Sequence, residues 1–112
     1  MTRILLDECL PVKLQYRFLE LDDSFHVATV TGNNWNGIKN GKLLELAQNS
    51  FDIFITIDQN IPYQQTVSKF SIALIALQAK SNRYNDLLPF LEPTVKLIKN
   101  CKQGKSYTVS IK

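Results

Sequence analysis

Apolar and polar positions alternate between two rhythms along this chain. Arg3 to Leu6 is a short aliphatic run closed by Asp7 and Glu8, the pattern of a strand buried on both faces that runs into a polar edge. Leu10, Leu14, Phe18 and Leu21 then recur at helical spacing, with Pro11 placed for a first turn, and predict a helix packed on the sheet. Phe25 to Val30 reads as the second strand, and the Gly- and Asn-rich stretch after it reads as a loop. From Asn40, the expected N-cap, Leu43, Leu44, Leu46 and Ala47 form an apolar face opposite Lys42, Glu45 and Gln48, predicting a second helix. Asp52 to Ile57 is a third strand, again ended by an acid, Asp58. Pro62 opens an expected short helix over Tyr63 to Lys69, and Ser71 to Leu77 is the fourth strand. Leu88, Leu91, Val95 and Ile98 mark a last helix terminated by Gly104, and Ser106 to Ile111 alternates like an edge strand.

Strands alternating with helices, the inner strands apolar throughout, predict an α/β fold: one three-layer α/β/α domain with a mostly parallel sheet of about five strands. No linker, repeat or low-complexity segment divides residues 1–112. Right-handed crossovers would gather the C-terminal ends of the strands on one edge of the sheet, where open α/β sheets form their binding crevice. Asp7 and Asp58 belong on that edge.

Length and composition narrow the class. A chain of 112 residues fits one core rather than two, and 45% hydrophobic with 21% charged residues excludes a disordered chain. No apolar run is long enough to span a bilayer, and the N-terminus has an acid where a signal peptide has a basic head, so the expectation is a cytoplasmic protein without a membrane partner. Cys9 and Cys101 show no metal-ligand spacing and are expected as free thiols. The net charge of +3 is compatible with a polyanionic partner, but no basic run supports one.

Carboxylates held close together repel, and a cation or a shared proton relieves them. Mg²⁺ or Mn²⁺ suits oxygen donors and keeps waters that a phosphate can displace, so an acidic strand-end cluster suits phosphodiester hydrolysis. Acids after strands also serve as caps and turn residues, and spacing alone favours that role.

Three ordered segments add a resemblance. The opening RILLDECLP resembles the start of small PIN-like proteins related to VapC-type toxins. WNGIKNGKLLELA followed by FDIFITIDQNIPYQQ resembles the middle of the same branch, where a strand ends in Thr-x-Asp, and SIALIALQAKSNRYNDLLPFL extends the likeness over nearly the whole chain. The resemblance implies a PIN-like domain and a Mg²⁺- or Mn²⁺-dependent ribonuclease. It further implies the toxin of a toxin and antitoxin pair, with RNA as substrate, an antitoxin protein as partner and a homodimer as the expected assembly. It maps Asp7 and Asp58 onto two metal-binding acids. This chain departs from the pattern at Lys42 and at Asn60, where relatives commonly carry acids.

Other residues have two readings each. Glu8 either bends into the site as a metal ligand or favours the dipole of the first helix. Glu45 either supplies the third catalytic carboxylate or pairs with Lys42 on one helix face. Lys42, Lys39, Lys80 and Arg83 either hold RNA phosphates or lie solvated, and Lys42 could also replace the cation. Asp86 reads as a helix cap and His26 as a core or edge histidine. Trp35 is expected to fold back on the core rather than to stack on a base. Tyr63, Gln64 and Gln65 match the resemblance without a defined role. The leading expectation is therefore a ribonuclease using Asp7, Asp58 and either Glu45 or Glu8. The alternative is a catalytically weak or inactive PIN-like module that binds a partner protein. A nucleotide-binding domain lacks its Gly-rich loop.

Overall fold

The computed structural model describes residues 2–64 and 66–111, excluding the side chains of Tyr63 and Gln64. Five strands, β1 (Arg3–Leu6), β2 (His26–Thr29), β3 (Ile53–Thr56), β4 (Ala73–Leu77) and β5 (Ser106–Val109), form one sheet in the order β2-β1-β3-β4-β5. Every neighbouring pair is parallel. The helices are α1 (Leu14–Leu21), α2 (Asn40–Ala47), α3 (Ile61–Gln64) and α4 (Tyr84–Ile98), with a 3-10 turn at Val67–Lys69. β3 and β4 are buried at every position, as strands covered on both faces must be.

Alternate residues of each strand feed two cores. Ile4, Leu6, Ile53, Ile55, Ile75 and Val109 pack against α1 and α4, while Leu5, Phe54 and Leu74 pack against α2, Ile61 and Val67. The result is the expected three-layer α/β/α arrangement.

Handedness departs from expectation at one place. α1 connects β1 to β2 in one direction along the sheet, and α4 connects β4 to β5 in the other, yet both lie on the same face. The two crossovers therefore have opposite hands. The connections through α2 and α3 run in the direction of the last one but on the opposite face, and so share the hand of the first. Since right-handed crossovers are the rule, β4-α4-β5 is the left-handed exception. It leaves the α2/α3 face of β5 without a covering helix.

Local boundaries also differ. α1 starts at Leu14 rather than around Pro11, and Leu21 is 48% exposed, so the stripe consists of Leu10, Leu14 and Phe18. Lys39, not Asn40, occupies the N-cap position of α2. Helix α4 ends at Ile98, and Gly104, with φ +79°, forms the turn before β5 instead of capping the helix. Pro89 and Pro93 lie inside α4 on its exposed side, where the carbonyls they leave unbonded can meet water.

Candidate functional site

A parallel sheet of order 2-1-3-4-5 changes direction between β1 and β3, and the crevice outside their C-terminal ends is where open α/β sheets bind ligands. Asp7 ends β1 there, and Thr56 and Asp58 end β3. The ladder continues one step past β1, with the Asp7 N–H donating to Ile55 O at 2.9 Å, which sets the Asp7 side chain beside Thr56.

Asp7 is only 7% exposed and Thr56 is fully buried. Thr56 Oγ1 donates to Asp7 Oδ2 at 2.6 Å and accepts the Asp58 N–H at 3.0 Å, so one hydroxyl joins both strand ends. The Glu8 N–H donates to Asp7 Oδ1 at 2.8 Å, and Cys9 Sγ lies 3.5 Å from Asp7 Oδ2. No lysine or arginine pairs with Asp7 among the described residues. Burial pushes its carboxyl above the usual carboxylate range, and the hydrogen bonds from Thr56, Glu8 and Cys9 only partly offset this. Burial likewise raises the Cys9 thiol.

The remaining acids go elsewhere. The chain turns at Asp7, whose carbonyl accepts the Leu10 N–H at 3.0 Å. The bend occurs, but Glu8 Oε1 accepts the Gly37 N–H at 3.2 Å from the loop before α2. Glu45 Oε1 lies 3.7 Å from Lys42 Nζ, with both side chains 62% exposed, and no hydrogen bond or ion pair among the described residues joins either to Asp7 or Asp58. Asp58 Oδ1 accepts the Asn60 N–H at 2.9 Å, so the residue that departs from the resemblance closes an Asx turn. Asp86 is not the cap of α4. It lies in the first turn and accepts from Ser81 Oγ, with Lys80 nearby.

Lys39 and Arg83 immediately precede α2 and α4, and both are exposed at the edge where the strands end. The loop before α4 touches the Asp7 turn, since Asn82 Nδ2 donates to Cys9 O at 3.2 Å. Gly37 makes the corresponding contact from the loop before α2. His26 is the exposed first residue of the edge strand β2. Trp35 folds back as expected and meets Phe51 edge to face at 6.3 Å. Gln65 and the side chains of Tyr63 and Gln64 lie outside the described residues.

Among the described residues no three His, Cys, Asp or Glu side chains gather to hold an ion. Carboxylate oxygens are the donor type that Mg²⁺ and Mn²⁺ take. Asp7 Oδ1 accepts one hydrogen bond, and Asp58 Oδ2 accepts none among the described residues, so each oxygen keeps a lone pair for a cation.

Sequence reasoning missed Cys9, Asn82, Gly37 and the part played by Thr56. The signal for Thr56 was a hydroxyl closing an otherwise apolar buried strand, because a buried hydroxyl must find a partner. Comparison with family models, with curated proteins and with solved structures finds no match.

Proposed function

We propose that this chain is a metal-dependent ribonuclease of the toxin type, with Asp7 and Asp58 as its working acids. The observation that carries the reading is Asp7 itself: a carboxylate buried at the switch point of a parallel sheet, without a paired cation among the described residues. Such a group destabilises the fold when ionised, and proteins tolerate that mainly where a ligand uses it.

Asp7 and Asp58 would hold Mg²⁺ or Mn²⁺, which supplies Lewis acidity and an activated water when bound. Thr56 fixes the Asp7 carboxylate through its 2.6 Å bond and orients the Asp58 backbone through its 3.0 Å one. Lys39 and Arg83, on either side of the edge, contact RNA phosphates without reading sequence. The protein would work in the cytoplasm, opposed by an antitoxin protein, and assemble as a homodimer.

A second reading rests on a specific observation. Glu8 accepts from Gly37 and Glu45 lies beside Lys42, and among the described residues no third carboxylate gathers with Asp7 and Asp58. A PIN-like module with that defect would act by binding an antitoxin-like partner.

Calorimetric titration of Mn²⁺ into the intact protein and into an Asp7→Asn, Asp58→Asn double variant tests the choice, paired with cleavage of a single-stranded RNA. The nuclease reading expects binding and cleavage by the intact protein alone. If the intact protein neither binds Mn²⁺ nor cuts RNA, the partner-binding reading replaces it, and the product of the adjacent gene becomes the ligand to try.

A further inference from the structure

The left-handed return through α4 leaves an open patch on the α2/α3 face of the sheet. Tyr107 and Val109 of β5 point to the α1/α4 core, so Ser106 and Thr108 point the other way and stay exposed. Together with Gln59, Pro62 and Gln78 they line a cavity of about 320 Å³. Among the described residues no charged side chain lines it. Among the described residues, the Gln78 amide, the Ser106 and Thr108 hydroxyls and Gln59 Oε1 have no hydrogen-bond partner.

The cavity adjoins the candidate site through the chain itself. Gln59 follows Asp58, and its amide donates to Ile57 O at 3.1 Å and to Leu77 O at 2.6 Å. It thereby fastens the end of β3 to the end of β4 and holds its side chain at the cavity wall. Gln78, next along the chain, stands at the mouth, exposed.

We propose that this slot receives one base of a single-stranded RNA whose backbone crosses the Asp7 and Asp58 edge; the proposal rests on the ribonuclease reading. A lining of uncharged donors and acceptors repels no phosphate, but lacks the cations that would attract one. It matches the edge of a nucleobase, which presents neutral donors and acceptors in a plane. A glutamine amide pairs with a base edge through both functions at once, which Gln78 can do, while Gln59, its NH₂ group bonded to Ile57 O and Leu77 O, offers its oxygen. The ring of Pro62 offers the base an apolar contact.

The test uses the intact chain in EDTA, so that no cleavage occurs. Fluorescence anisotropy measures binding of labelled rU8, rC8 and rA8 to the unaltered protein, to Gln78→Ala, and to a Ser106→Val, Thr108→Val double variant, each checked for folding by circular dichroism. The expected result is a spread of about fivefold or more among the three RNAs for the unaltered protein, the worth of one or two hydrogen bonds. That spread should collapse in both variants, while affinity for the weakest RNA stays the same. Equal binding of all three RNAs by the unaltered protein, or a spread that survives both variants, overturns the slot and leaves the ribonuclease reading standing. If the unaltered protein binds no RNA here and also cuts none with Mn²⁺, both fall together. A Thr108 methyl resonance that moves with an extended peptide and not with RNA assigns the patch to a protein strand and overturns the base slot.

Discussion

Thr56 Oγ1 donates to Asp7 Oδ2 at 2.6 Å across the boundary between β1 and β3. The same oxygen accepts the Asp58 N–H, so a single buried hydroxyl touches the carboxylate of one acid and the backbone of the other.

Replacing that hydroxyl by a methyl group should therefore cost more than its volume suggests. Thr56→Val leaves a buried carboxylate and a backbone N–H short of partners, and should lower unfolding free energy at pH 7 by about 2–3 kcal/mol. Thr56→Ser keeps the hydroxyl and loses only a methyl group, about 1 kcal/mol. Urea unfolding of the two variants decides; equal losses would mean that the hydroxyl carries no special role.

Asp7→Asn should stabilise the fold at neutral pH. The folded carboxyl titrates above its unfolded value of 3.8, mainly because it is buried, so its contribution is favourable below pH 3.8 and is lost as pH rises through the folded value. Asparagine keeps the shape and does not ionise; its amide oxygen can take the Glu8 N–H while its NH₂ group donates to Thr56. The stability gained over the unaltered protein should grow from pH 3.8 upward and then level off. Urea midpoints for both proteins between pH 3.5 and 8 measure this, and a gain independent of pH would contradict the assignment.

Asp52 behaves in the opposite sense. Burial pushes its carboxyl up, but the hydrogen bonds and charge of Arg3 together outweigh burial and hold it below 3.8. Asp52 Oδ2 accepts the Arg3 N–H at 2.9 Å and Oδ1 accepts from Nη2 at 3.2 Å. This contribution is present above pH 3.8 and is lost as pH falls through the folded value. The Arg3 side chain is 42% exposed, so screening limits the loss in Asp52→Asn at pH 7 to about 0.5–1 kcal/mol. The difference from the unaltered protein should shrink in acid and in high salt, and thermal melts under both conditions check it.

The α2/α3 core should be as sensitive as any core. Phe54 is 1% exposed in the middle of β3, and Phe54→Ala should cost about 3–5 kcal/mol, a large part of the stability of a domain this size. Tyr16 is 61% exposed, and Tyr16→Ala should change stability by less than about 0.5 kcal/mol. Chemical denaturation of the pair sets the scale for the other variants.

Short-range chemistry along the chain was enough to find the layers. The short apolar run Ile53 to Thr56 became a strand covered on both faces, and the helical spacing of Leu14 and Phe18 became the buried side of α1, with Leu10 joining the same core from the turn before it. The same logic put Asp7 and Asp58 at strand ends and folded Trp35 back on the core, because each statement depends on a residue and its near neighbours; that the partner is Phe51 came from the packing. Side-chain partners were different. Glu8 read either as a metal ligand or as an acid favouring the dipole of the first helix, and its side chain instead accepts the N–H of Gly37, in a distant loop. Glu45 stayed with Lys42 because both project from one exposed face of α2. The hand of β4-α4-β5 lay equally beyond reach, since the stripe of Leu91, Val95 and Ile98 says which side of α4 is buried but not which face of the sheet it covers. Local periodicity decides what a segment becomes, and only the packing of segments far apart in sequence decides which face it covers and which partner each polar atom finds.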